Sequence, residues 1–418
     1  MRARAARHLP TLLAILAVIL AAPVAEAAGP RTIEDVNYNQ DEFAPPEAKY
    51  NSLDLYLPDD ASPRSGSLRP VVVWVHGGGW MNGDKANNMP RKVKLFNDLG
   101  YLVASVNYQL SPDIGRGWDG SFPAFRVRSP DHVGDIAEAM AWLSTNLPIH
   151  GGDPDRIVLA GHSAGAHLVS LAATNSAFLR GRRVSPKQVV GVVSLDTDAF
   201  DIRQEADAAN PANGPERLAM IWNAFGTPQE EAVHARWAAA SPILHADPSD
   251  PPFLLVTQGN RVLRMASNRA MAATLGQDSE SVVGVPLDHA GINDALGDPA
   301  DPTAETSSVS RFVRRAIAAA VPARVKVHRR PARRVVVRVP RHRRKAPRRK
   351  VTFGFAGTGR ASGFQCRLDR GRFTACRSPK SYRAKPGRHT FRVRPLYPSG
   401  RPGDEKRVPF RIVARNRR

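Results

Sequence analysis

The chain has 418 residues, 42% of them hydrophobic and 23% charged, with a formal net charge of +22. That length leaves room for one large domain and something smaller, while two cysteines and no His-Glu-x-x-His motif set aside the usual zinc frameworks. The charge is not one number: residues 28–320 sum to −9, residues 321–350 to +14 and residues 351–418 to +15. A mildly acidic body carries a strongly cationic tail, so two jobs are expected.

The first 27 residues read as a secretory signal peptide. Arg2, Arg4 and Arg7 precede the apolar run 11–22, and Ala25-Glu26-Ala27 has the small-x-small form of a cleavage site. The alternative is an uncleaved N-terminal anchor; no later segment approaches the 18 or so apolar residues of a spanning helix. The expected location is secreted, extracellular or associated with the cell wall. An oxidising setting makes a disulfide the default for Cys366 and Cys376.

From residue 28 to 320 strand and helix signals alternate. Short apolar, β-branched runs at 70–76, 101–107, 156–160, 189–195, 252–257 and 281–287 predict strands. Helices are expected over 131–147, 164–173 and 265–275, the first with Val133, Ile136, Ala137, Met140, Ala141 and Leu143 on one stripe. This predicts an α/β domain with a mostly parallel sheet covered on both faces, whose crevice lies beyond the carboxyl ends of the strands. Residues 201–246 exceed what a crossover needs and are expected to fold as helices over that crevice.

Residues 321–350 carry four prolines and dense like charge, and read as an extended, solvated linker. Beyond it, short alternating strands between Gly, Pro and Asp turns predict a small all-β sandwich over 351–418. Cys366 and Cys376 lie symmetrically about Gly371, across a hairpin turning near Asp369-Arg370-Gly371. Closing that loop would stabilise the unit by roughly 2–3 kcal/mol.

Two motifs carry chemistry. Gly161-His162-Ser163-Ala164-Gly165 lies where the strand ending at residue 160 gives way to a helix. Such a turn presents a serine hydroxyl above the sheet, with the Ala164 N–H at the start of the new helix. His76-Gly77-Gly78-Gly79-Trp80 follows the strand Val-Val-Val-Trp-Val, and its glycines let backbone N–H groups converge. His289, in Leu287-Asp288-His289-Ala290-Gly291, follows a late strand and falls at the crevice as a candidate base.

On "HGGGW", "VNYQLSP", "FPA", "DHVGDIAEAMAWL", "GGDPDRIVLAGHSAGAHL" and "LDHAGIND", residues 45–318 resemble the α/β-hydrolase superfamily, in particular secreted carboxylesterases and their formamidase- and feruloyl-esterase-like branch. The resemblance implies a serine hydrolase without cofactor or metal, acting on a small-molecule ester. It assigns Ser163 as nucleophile, His289 as base, and an oxyanion hole from the amides of Gly77 or Gly78 and of Ala164, with His76 structural. His162 is expected to pack, pointing away from His289. The family's acid usually follows the strand before the histidine strand, but there this chain has Asn260-Arg261-Val262. Asp196 is the first substitute, then Asp201 and Asp198, all beyond the carboxyl end of the strand 189–195; Asn260 would be a neutral orienter. Trp80, Trp118 and Phe122 are either pocket or core. The tail resembles immunoglobulin-like repeats appended to secreted bacterial proteins, which implies an accessory module. Its charge predicts attraction of residues 321–418 to polyanions, namely anionic cell-wall polymers such as teichoic acids, acidic polysaccharide, anionic lipid or nucleic acid, with no motif for specific nucleic-acid recognition. The rival expectation is a catalytically degenerate hydrolase fold that only binds such polymers.

Overall fold

The computed structural model describes residues 31–39, 49–59, 68–114, 121–210, 213–339 and 346–416. The expected signal peptide and Trp118 lie outside these residues, as do 340–345 of the expected linker.

The body is built on β1 (Arg31–Asn37), β2 (Ser52–Leu57), β3 (Arg69–Val75), α1 (Met89–Asp98), β4 (Leu102–Val106), α2 (Asp131–Asn146), β5 (Gly152–His162), α3 (Ala164–Thr174), α4 (Ala177–Gly181) and β6 (Val189–Leu195). It continues through α5 (Ile202–Glu205), α6 (Pro215–Phe225), α7 (Val233–Ala239), β7 (Phe253–Gln258), α8 (Val262–Thr274), β8 (Val282–Val285), α9 (His289–Ala295) and α10 (Glu305–Ala319). The eight strands form one sheet in the order β1-β2-β4-β3-β5-β6-β7-β8. β1 and β2 pair antiparallel and β2 joins β4 antiparallel; from β4 to β8 every pairing is parallel. Strands that are apolar throughout, such as β6 (VVGVVSL, every residue buried), need cover on both sides. One face meets α2 and α3 through Val71, Val73, Leu159, Ile136 and Leu168; the other meets α1 and α10 through Val72, Val158, Phe96, Val309 and Val313.

Under α9, the second of those layers buries an unusual pair. Lys92 donates to the carbonyls of Asn88 and Asn293, and Glu305 is fully buried with neither carboxylate oxygen hydrogen-bonded among the described residues. Burial, with Asp301 adding to it, pushes the Glu305 carboxyl up to about 8; burial pushes the Lys92 ammonium down to about 8. Between the ordinary carboxylate range and pH 8 the folded state therefore binds more protons at Glu305 than the unfolded chain, so stability falls as pH rises through this window. Glu305→Gln is expected to flatten that decline and raise the melting temperature at pH 8 more than at pH 5. An equal shift at both pH values would show that Glu305 enters the folded state ionised.

The tail folds as two sheets with one core. β9 (Arg324–Arg329), β10 (Arg334–Val339), β11 (Arg349–Thr358), β12 (Gly363–Leu368), β13 (Thr374–Ala375), β14 (Lys380–Ala384), β15 (Gly387–Leu396) and β16 (Lys406–Asn416) form a five-stranded sheet, β10-β16-β15-β12-β13, and a three-stranded sheet, β14-β11-β9. Val337, Phe353, Phe355, Phe391, Val393, Phe410 and Ile412 pack between them. Cys366 and Cys376 are joined by a disulfide across the β12–β13 hairpin.

The linker expected over 321–350 is corrected. Residues 324–329 and 334–339 are strands, and the β unit starts at Arg324 rather than at residue 351. Charge density suggested a solvated chain, but "RVKVHR" and "RVVVRV" alternate. Period 2 sends valines 325, 327, 335, 337 and 339 inward and leaves the basic side chains in water on the other face. The sandwich meets the body at one end: Ser399 N and Oγ donate to Asp155 (2.9 and 2.8 Å), and Arg401 Nη2 donates to Asp153 (3.1 Å).

Candidate active site

Ser163 caps α3 with φ 56° and ψ −120°, a conformation seldom adopted by a residue with a side chain. Its neighbours permit the turn. A Cβ on Gly165 would lie 2.2 Å from the Val75 carbonyl oxygen, and one on Gly161 2.6 Å from the Gly165 backbone. The Ser163 amide donates to the Leu195 carbonyl at 2.8 Å, tying the turn to the end of β6.

Three side chains converge at the carboxyl ends of β5, β6 and β8. Ser163 Oγ lies 3.0 Å from His289 Nε2, and His289 Nδ1 lies 2.5 Å from Asp196 Oδ2. His289 opens α9, whose N-cap Asp288 accepts from the Gly291 amide. Asp196 follows β6 with φ 49° and is fully buried, whereas the His289 side chain is 45% exposed at the crevice. With Nδ1–H donated to the carboxylate, Nε2 is left as the acceptor facing the serine hydroxyl.

Four further donors surround Asp196: Thr257 Oγ1 (2.8 Å), Gln258 N (3.1 Å), Gln258 Nε2 (2.7 Å) and Arg264 Nη1 (3.1 Å). Burial alone would push the carboxyl up. The His289 bond, the Arg264 guanidinium, Gln258 and Thr257 outweigh it and hold Asp196 well below the usual carboxylate range. The structure separates Asp196 from its two rivals. Asp201 caps α5 and binds Arg203, with Ser241 also donating to it, while Asp198 binds Arg217 and Arg264. Neither pairs with His289. Asn260 lines a cavity of about 760 Å³ together with Asp198, Asp201, Arg217 and Leu263, and Val262 beside it already starts α8. The chain after Asn260 runs straight into α8, whose Arg264 donates to Asp196. Gln258, the last residue of β7, and Arg264, in the first turn of α8, carry no mark in the sequence that points to this role.

The glycine-rich loop lies against the serine. A Cβ on Gly77 would come 3.0 Å from Ser163 Cβ, so a side chain there would crowd the hydroxyl. His76 is buried, stacks on Tyr108 (centroids 4.6 Å apart) and donates Nδ1–H to the Gly77 carbonyl at 2.7 Å. Across a trans peptide the Gly78 N–H then points away from His76. Burial pushes the His76 imidazole down and keeps it neutral, in keeping with a structural part. The Ala164 amide, first in α3, is one of the four that a helix leaves without an internal partner. α6 covers the loop: Met220 Sδ would lie 2.7 Å from a Cβ on Gly79. Glu230 ties this cover to the segment after residue 120 by ion pairs with Arg126 (2.6 Å), Arg128 (2.5 Å) and Arg236 (3.1 Å). Trp80 is core, meeting Phe225 and His167 edge-on, and Phe122 lies under the Arg126 guanidinium.

His162 does not point away from His289. Its Nε2 donates to the His289 carbonyl at 2.9 Å and the two rings lie 4.6 Å apart. Burial, then the nearby His289, lower the His162 pKa to about 4, so it stays neutral and adds no positive charge beside His289. If His289 is the base, His162→Ala frees its backbone and is expected to lower kcat by about 10- to 100-fold with KM little changed. Unchanged kcat would reduce His162 to packing. Among the described residues no group of three or more His, Cys, Asp or Glu could hold a metal ion, and no helix is long and apolar enough to cross a membrane.

Curated proteins resemble part of this chain in sequence. Esterase LipQ of Mycobacterium tuberculosis is 30% identical over 236 residues, 55% of this chain and 51% of that protein. A probable isoprenylcysteine alpha-carbonyl methylesterase of Arabidopsis thaliana is 36% identical over 132 residues, 32% of this chain and 27% of its own length. The chain thus spans about half or less of the curated relatives it matches. Among solved structures, esterase B of Lactobacillus rhamnosis superposes with a TM-score of 0.51 at 20% identity, covering 70% of this chain and 89% of that one, a likeness of fold. A family model, BD-FAE, matches residues 53–270, which include Ser163, Asp196 and the glycine-rich loop. The likeness of fold is to α/β-hydrolase esterases, and on the family match the chain belongs to the BD-FAE family.

Proposed function

We propose that the protein is a serine hydrolase that cleaves carboxylic esters of small molecules through an acyl-enzyme on Ser163. The observation that carries this reading is the bridge made by His289, hydrogen-bonded to Ser163 on one nitrogen and to Asp196 on the other. His289 Nε2 takes the hydroxyl proton as Oγ attacks the ester carbonyl, and the negative charge passes to the carbonyl oxygen. The amides of Gly77 or Gly78 and of Ala164 receive that oxyanion. His289, now an imidazolium stabilised by ionised Asp196, protonates the leaving alcohol as the acyl-enzyme forms. Water, deprotonated by His289, then attacks the acyl carbon and releases the acid with the serine restored. Relatives described as esterases and methylesterases support an ester as substrate.

The reading includes secretion, with residues 1–27 as a cleaved signal peptide, and an immunoglobulin-like type for the C-terminal unit. Steady-state hydrolysis of p-nitrophenyl acetate and butyrate by the purified full chain is the direct test. Saturable turnover well above the buffer rate is expected; a rate equal to buffer would remove the esterase reading.

A further inference from the structure

We propose that the outer face of the five-stranded C-terminal sheet docks onto an anionic lipid bilayer. The register of the strands builds this face. Arg334 of β10 stands opposite Arg411 of β16, which stands opposite Arg388 of β15, so three arginines lie in one row across three strands. Four residues further along, Arg338 stands opposite Arg415. All five side chains are exposed, and among the described residues none of the five forms an ion pair with a carboxylate. A second three-arginine row, Arg407–Arg392–Arg367, shares the single carboxylate of Glu405.

Like charges directly opposite one another destabilise a sheet, so the fold gains nothing from this arrangement. The inner faces of the same strands already supply the core, through Val337, Phe391, Val393, Phe410 and Ile412. Among the described residues the body does not cover the rows either. Its contacts, Ser399 and Arg401 on Asp153 and Asp155, come from the loop after β15, whereas Arg388 begins that strand and Arg411 and Arg415 lie toward the far end of β16.

The shape of the array selects the partner. Cross-strand spacing gives each three-arginine row a width of about 10 Å, and rows four residues apart are separated by about 13 Å. The charges therefore extend in two directions over a sheet face. A planar layer of phosphate headgroups meets all rows at once, whereas a linear polyanion follows one. Arginine's forked guanidinium suits pairs of phosphate oxygens. Val336, 42% exposed, stands opposite Val413 between the two unpaired rows, an apolar strip where a headgroup layer gives way to acyl chains. Single-stranded nucleic acid is held by exposed aromatic platforms. The aromatic ring near the second row, Phe373, is instead half-buried against the Arg367 and Arg394 guanidiniums, 4.4 and 4.1 Å from its centroid.

The test is co-sedimentation of the full chain with phosphatidylcholine vesicles, with or without about 30 mol% phosphatidylglycerol, at low and at physiological salt. Any contribution from the apolar run 11–22 is common to both vesicle types and to all variants. Partitioning is expected to require phosphatidylglycerol and to weaken with salt. Arg334→Gln/Arg388→Gln/Arg411→Gln should lower it on the order of 100-fold, since each arginine near such a surface contributes about fivefold. Lys326→Gln/Lys350→Gln/Arg383→Gln removes the same charge from the outer face of the other sheet and should leave partitioning close to wild type. Circular dichroism and the thermal transition of both variants check that the exposed substitutions leave the fold intact. Equal losses in the two variants would overturn the assignment, because net charge and not this face would then bind. So would equal partitioning onto neutral and anionic vesicles, or tighter binding to single-stranded DNA than to phosphatidylglycerol at matched salt.

Discussion

Ser163→Ala is expected to lower kcat on p-nitrophenyl butyrate by about 10⁶-fold, with little change in KM or in the melting temperature. On the proposed mechanism the substitution removes the atom that forms the covalent bond, so His289 has no hydroxyl to deprotonate. What remains is a bound ester beside the amides of Gly77, Gly78 and Ala164, enough for a small residual acceleration over water. Folding should be little affected, because the turn is held by the Ser163 amide on the Leu195 carbonyl and by the close approach of Gly165 to β3, neither of which uses Oγ. A loss smaller than tenfold would place the nucleophile elsewhere.

Asp196→Asn should lower kcat by about 10⁴-fold. A carboxamide in this cradle cannot accept on both of its atoms: Thr257 and the Gln258 amide donate to Oδ1, while Gln258 Nε2, Arg264 and His289 meet Oδ2, so with the oxygen kept on Thr257 and Gln258 N the NH₂ faces His289 Nδ1. That nitrogen must then accept, which moves the imidazole proton to Nε2 and points a donor at the serine hydroxyl. The base is held in the wrong tautomer. Asp198→Asn and Asp201→Asn change carboxylates committed to Arg217 and Arg203, and their kcat should stay near wild type. Loss in either one comparable to that of Asp196→Asn would contradict the assignment of the acid.

The parts of the site that local sequence could show are those set by local geometry. The serine turn is legible because its glycines, its strand and its helix are contiguous, and β6 runs over 189–195 as its apolar run predicts. Asp196 was reachable by asking which carboxylates follow a strand's carboxyl end. That Asp196, and not Asp198 or Asp201, contacts His289 is visible only in the structure, where donors from β7 and α8, more than 60 residues away, hold it. The contact of His162 with the His289 carbonyl spans 127 residues and is hidden from local sequence for the same reason. Strand β1 escaped notice because an edge strand with a mostly exposed pattern has no apolar run to announce it. In the tail, charge masked periodicity: fourteen basic residues over 321–350 suggested repulsion, while the alternate valines encoded two strands.

Activation of Ser163 as a nucleophile by His289 is open to a direct chemical test. Treatment of the full chain with diethyl p-nitrophenyl phosphate, followed by peptide mass spectrometry, addresses it without knowledge of the natural substrate. One diethylphosphoryl group is expected, on the peptide containing Ser163, with labelling strongly slowed in His289→Ala. An unlabelled protein, a label on another residue, or equal labelling of His289→Ala would contradict it.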